Sequence, residues 1–251
     1  MREHWSVIRL LIRRKMPKAL PALLLVLVGG VLGGYFWGPK LILSRREAPP
    51  FEQEVVRYFL AILFLLGFLG IVASCIFSLN RKSKPQYTLR RLRISETSVF
   101  VWNMVIASSL FLMLWGCIVI AVAFSERYYM SMEGYAEGTL GAVVSIMSRD
   151  TLLRGLVPVR NPLAWIHTFL LMVCCGVTCA CGEVYTLQNR RFPLITVVLL
   201  GFFVTIFPVQ TAGETLGAPL VTMAIWTWVA IVLTAIYAVH TAKRIARKED
   251  A

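Results

Sequence analysis

Charged residues divide this chain into six long uncharged runs: Ala19 to Pro39, Tyr58 to Asn80, Thr97 to Ser125, Asn161 to Gly182, Phe192 to Gly213 and Thr215 to Ala242. About 20 residues at a rise of ~1.5 Å each span the ~30 Å hydrocarbon core of a bilayer, and a helix satisfies its own backbone groups there. The period-two alternation of a membrane-spanning strand is absent. The pattern predicts an all-α membrane protein: a single domain of six transmembrane helices over about 19–39, 58–80, 97–125, 161–182, 192–213 and 215–242.

The segments between the runs predict smaller elements. Residues 1–18 mix Trp5, Val7, Ile8, Leu11 and Ile12 with Arg9, Arg13, Arg14 and Lys15, the pattern of an interfacial elbow helix lying along the membrane before the first span. Between the second and third runs, RKSKPQYTLRRLRISETS (Arg81 to Ser98) places Pro85 at a helix start and sets Tyr87, Leu89 and Leu92 beside Arg90, Arg91 and Arg93. Ser95 then caps the next helix, with Glu96 in its first turn. This segment reads as a short helix across the mouth of the bundle, or equally as a basic connector that binds anionic lipid headgroups. The stretch from Glu126 to Arg160 suggests two short interfacial helices, arranged as a partial lid or as an ordered loop, with Tyr128, Tyr129 and Tyr135 at headgroup depth. The third run, 29 residues without a charge, exceeds what a bilayer needs, so its helix tilts or projects.

Composition confirms the solvent and charge sets the orientation. Of 251 residues, 58% are hydrophobic and 16% charged, and the mean hydropathy is +0.71, so no soluble packing could hide the apolar surface. The net charge of +13 is distributed by topology, not gathered into a nucleic-acid surface. Residues 1–18 carry six Lys and Arg, 81–96 six, 183–191 two and the basic tail 243–251 four; the opposite side carries four over 40–57 and four over 126–160. The positive-inside rule places both termini in the cytoplasm of a multi-pass protein of the cell membrane.

Within the runs, Gly29, Gly30, Gly33 and Gly34 form overlapping small-xxx-small pairs for close helix packing, within the chain or in a dimer. Cys75, Cys117, Cys174, Cys175, Cys179 and Cys181 all lie in apolar runs, which excludes an outer-face disulfide; the four on the fourth run suit close packing better than a metal or redox site. Asn103, near the cytoplasmic mouth of the third span, and Glu214, the lone charge of the last outer turn, are the candidates for a translocation path, although Glu214 better suits simple contact with interfacial water. His4, His167 and His240 are too far apart along the helices to share a haem or zinc. No HExxH, GxSxG or paired intramembrane carboxylate occurs, so hydrolase and protease readings lack a nucleophile or base. Nor do the runs hold the charged residues of a proton-driven pump.

An N-terminal interfacial helix, six spans, both termini inside and a short cytoplasmic helix between the second and third spans together resemble the permease subunits of ATP-binding-cassette exporters. The most telling piece is KPQYTLRRLRISETSVFVWN, from Lys84 to Asn103, which looks like the coupling-helix region of that family in Gram-positive bacteria. The glutamate-alanine-alanine loop signature of importer permeases is absent. The long outer segment precedes the fourth span, whereas in that family outer helices commonly lie between the last two. The resemblance implies a chain that is no enzyme by itself and holds no cofactor, with ATP and magnesium in separate nucleotide-binding subunits and with a second permease copy or paralogue as a further partner, alongside membrane lipids. It assigns ATPase coupling to Tyr87, Leu89, Arg90, Arg91, Leu92 and Arg93, and implies alternating access for an amphipathic or hydrophobic substrate. The competing class is a non-transporting sensor, immunity or assembly protein whose bundle binds a partner within the lipid.

Overall fold

A computed structural model describes residues 2–42, 54–77, 95–132, 162–189, 193–213 and 220–249. Every described element is a helix: α1 (Arg2–Ile42), α2 (Glu54–Phe77), α3 (Glu96–Met132), α4 (Pro162–Asn189), α5 (Leu194–Gly213) and α6 (Leu220–Glu249). Four of them contain stretches long and apolar enough to cross a membrane, His4–Gly33, Glu96–Ala121, Trp165–Leu187 and Ala224–Arg247; α2 and α5 carry shorter apolar stretches, Ile62–Ile76 and Leu194–Thr205. The segment expected to couple to an ATPase, with Tyr87, Leu89, Arg90, Arg91, Leu92 and Arg93, the stretch 133–161 and Glu214 lie outside the described residues, as does the side-chain environment of Gly34.

The first helix departs from the sequence expectation. No elbow separates residues 1–18 from the first apolar run: α1 is continuous for 41 residues through Pro17 and Pro21. The reason lies in one stripe. Val7, Leu11, Lys15, Ala19, Leu23 and Val26 recur at steps of four or three and are all buried, so the basic segment and the apolar run present a single face to the rest of the bundle. The outward faces of the two segments differ in charge, and that difference had suggested a boundary.

Other ends follow local chemistry. The Ser98 backbone N–H donates to Ser95 Oγ at 3.3 Å and the Val99 N–H to the Ser95 carbonyl at 3.2 Å, so Ser95 caps α3 with Glu96 in its first turn. Prolines open α4 and α5, where a missing N–H costs nothing. The third helix runs 37 residues, past Ser125 to Met132, a length of about 55 Å that outruns a ~30 Å hydrocarbon core. At the other extreme of the chain, the basic tail continues α6 to Glu249 without a break.

Contacts between helices fix their directions. α1 and α2 are antiparallel, since Gly29 faces Leu63, Gly33 faces Phe59 and Gly70 faces Ala22. α1 and α3 are parallel: Lys15 meets Asn103 at one end and Gly30 meets Ala121 towards the other. α3 and α4 are antiparallel, with Asn103 on Glu183, Ser108 on Val173 and Trp115 edge-on to Trp165 at 5.2 Å between ring centres. α4 and α6 run parallel, Cys174 lying beside Thr234 and Tyr185 bonding His240. Thr196 with Tyr237, and Phe202 with Trp226, set α5 antiparallel to α6. The six helices therefore alternate in direction, and the start of α1 and the end of α6 share one end of the bundle. α3 and α4 form the centre, with α1 and α2 on one flank and α5 and α6 on the other.

The core follows from this layout. Phe68, Ile71, Phe111, Leu114, Met172 and Cys179 are among its buried members, while exposed apolar side chains occur on every helix. Trp228 and Ile236 of α6 are 64% and 62% exposed and Leu194 of α5 is 76% exposed, a surface that lipid suits and water does not. Other hydroxyls turn back to their own helix: Ser74 donates to the Gly70 carbonyl, Thr186 to Gly182 and Thr241 to Tyr237.

Candidate functional site

Three polar residues occupy core positions on three different helices. Lys15 stands between Leu11 and Ala19 on the buried stripe of α1; Asn103 stands between Phe100 and Ala107 on α3; Glu183 continues the series Cys175, Cys179 on α4. At each position the helical period calls for an apolar side chain. All three are buried, Lys15 at 0%, Glu183 at 1% and Asn103 at 6% exposure.

They close on one another. Lys15 Nζ donates to Glu183 Oε2 at 2.7 Å and to Asn103 Oδ1 at 2.5 Å, and Asn103 Nδ2 donates to the same Glu183 oxygen at 2.7 Å. The amide orientation is fixed by its neighbours, because the ammonium requires an acceptor and the carboxylate a donor. The Arg14 guanidinium is near enough to feel the Glu183 charge. Asn103 lies about 10 Å inside the start of α3 and Glu183 about 9 Å before the end of α4, by helical rise, so the triangle sits roughly two turns in from the end that holds both termini.

Around the triangle are two thiols and an aromatic cluster. Cys75 of α2 and Cys179 of α4 are fully buried beside each other; Cys75 lies close enough to Lys15 and Glu183, and Cys179 to Lys15, to interact electrostatically, and both are free cysteines. On the flank of α4 and α6, the Tyr185 hydroxyl pairs with His240 Nδ1 at 2.7 Å, Tyr237 stacks on Tyr185 at 5.6 Å and the Arg244 guanidinium sits 4.9 Å above the Tyr185 ring. Tyr237 reaches on to Thr196 of α5 at 2.8 Å. His4 meets Trp102 on the opposite flank, with the indole N–H donating to His4 Nδ1 at 3.3 Å.

An ammonium and a carboxylate withdrawn from water are costly, and a pair in an apolar bundle persists only with good geometry and further hydrogen bonds. Asn103 supplies those bonds. Removing any one member leaves a buried group short of its partner. Chemically the triangle can hold α1, α3 and α4 together in one register, and it can part only if new partners or water reach both charges.

Of the residues singled out from sequence, Asn103 enters this site. The glycines pack α1 on its neighbours: Gly29 against Leu63, Gly30 against Ala121 and Leu60, and Gly33 against Phe59. Cys174, Cys175, Cys179 and Cys181 are buried among α2, α3, α5 and α6, the helices that touch α4. The expectation that the bundle carries no internal charge is corrected by Lys15 and Glu183. Neither stands out in the sequence, because each belongs to or borders a charged segment that reads as membrane surface. The signal lay in their spacing, four residues from a core position on the same helix.

Comparisons with known proteins found no matching family model, no matching curated protein and no matching solved structure.

Proposed function

We propose that this chain is the transmembrane permease subunit of an ATP-binding-cassette exporter, moving an amphipathic or hydrophobic substrate by alternating access while separate ATPase subunits supply the energy. The observation that carries the reading is the alternation of helix direction. α1 and α3 are parallel and both long enough to cross, so α2 returns the chain between them; α4 and α6 are likewise parallel, so α5 returns it. On this reading the chain crosses six times, with the start of α1, the end of α2, the start of α3, the end of α4, the start of α5 and the end of α6 at one end. That end carries eighteen of the 26 Lys and Arg, so the positive-inside rule makes it cytoplasmic. Such an arrangement offers Tyr87, Leu89 and Leu92, flanked by Arg90, Arg91 and Arg93, to a cytoplasmic ATPase.

The test is co-purification in mild detergent with mass spectrometry of whatever accompanies the chain. A stoichiometric nucleotide-binding subunit, lost in a Leu89→Asp, Leu92→Asp variant that still elutes as a folded species, is the expected result. A chain that arrives alone, or with a partner lacking an ATPase, overturns the permease reading in favour of a sensor, immunity or assembly protein.

A further inference from the structure

We propose that Lys15, Asn103 and Glu183 are a latch that holds the terminal end of the bundle shut, and that its release parts α1 from α3 and α4 and admits water to Cys75 and Cys179. The geometry separates this end from the other. Here the three helices are joined by an ion pair and two hydrogen bonds made by side chains, all with specific partners. Farther along, α1 and α3 pack Gly30 against Ala121, and α3 and α4 set Trp115 edge-on to Trp165 and bond the Ser108 hydroxyl to the Val173 carbonyl, contacts that hold no buried ion pair. Apolar contacts weaken gradually as helices tilt. A closed triangle of charged and polar groups is lost as a unit, because each member satisfies the other two.

Once released, the latch has a favourable open state. The separated charges regain hydration, which offsets their lost attraction, so closed and open arrangements lie closer in free energy than they would across a purely apolar seam. Asn103 also stands on the first turns of α3, about 12 Å of helix beyond the Ser95 cap, so force applied before Ser95 is delivered to the latch along a rigid element. The proposal rests on the permease reading only for the source of that force.

Native cysteines report the state directly. In the full-length protein in lipid nanodiscs, a water-soluble, membrane-impermeant maleimide is applied and labelled peptides are quantified by mass spectrometry. Cys75 and Cys179 should label slowly in the unaltered protein. They should label about tenfold faster or more in Lys15→Met and in Glu183→Leu, each of which leaves polar groups without partners. Cys174, beside Thr234 of α6, should not change. The charge exchange Lys15→Glu, Glu183→Lys should return Cys75 and Cys179 towards slow labelling. Asn103→Ala, which removes no charge, carries the same test at several-fold if a charge variant fails to fold. Unchanged labelling of Cys75 and Cys179 in folded variants, or acceleration at Cys174 equal to theirs, overturns the latch. No ATPase enters the measurement, so its outcome is separable from that of the co-purification.

Discussion

Lys15 is a single side chain bonded to two other helices, and its energetics are unlike those of the apolar residues above and below it on the stripe. The pair it makes with Glu183 contributes little net stability compared with well-packed apolar groups, yet losing one partner strands the other. Single substitutions Lys15→Met and Glu183→Gln are therefore expected to cost about 3–5 kcal/mol each. The double variant Lys15→Met, Glu183→Gln should recover much of that loss, because the amide introduced at position 183 can still bond Asn103 and no charge stays buried. Thermal unfolding of the four proteins in one detergent checks the prediction; additive losses across the cycle would show that the two residues act independently. Gly176 poses the opposite problem, one of space. A β-carbon there would land on the backbone of Ser108, which cannot give way as a flexible side chain can, whereas Gly201 has nothing within 4 Å. Gly176→Ala should cost about 1–3 kcal/mol by forcing α3 and α4 apart. Gly201→Ala should be neutral or slightly stabilising, and the two unfolding midpoints measured side by side decide the matter.

Among the elements, α3 carries the clearest start signal, and that signal can be tested alone. Ser95→Ala removes the side-chain acceptor for the Ser98 N–H and should cost about 1 kcal/mol. Hydrogen exchange should accelerate at residues 96–99 and stay unchanged around Ala107 and Leu110, in the buried middle of the helix. This cap was legible in the sequence because it depends on neighbouring residues and on nothing distant. The helices themselves were legible for the same reason, each apolar run lying largely within one of them. What could not be read was the continuity of α1. In the sequence, charge marks an apparent end of the membrane-facing element, but the buried stripe from Val7 to Val26 runs through the charged segment, and only packing against α2 and α3 reveals which face matters. Lys15 and Glu183 were hidden by the same assumption. Their pairing spans 168 positions of sequence, and no local rule connects residues so far apart.

At the scale of the whole molecule, alternation of helix direction constrains how the chain sits in a bilayer. The lengths and hydropathies of α1, α3, α4 and α6 qualify each of them to cross. Four crossings by these helices alone would need α1 and α3 to run in opposite directions, because a chain that crosses once must come back before it crosses again the same way. Lys15 with Asn103 and Gly30 with Ala121 make them parallel. The same holds for α4 and α6, through Cys174 with Thr234 and Tyr185 with His240. α2 and α5 are therefore expected to cross too, despite their shorter apolar stretches, and the short segments around residues 190–192 and 214–219 to fall on opposite sides. Single cysteines placed in a cysteine-free background at the N-terminus, at Asn189, near Glu214 and after Glu249 should divide under an impermeant thiol reagent applied to intact cells. The one near Glu214 should label at once; the other three should label only after the membrane is opened. Labelling of the Asn189 and Glu214 positions alike, or protection of both, would mean that α5 does not cross, and the parallel packing of α4 and α6 could not then persist in the membrane.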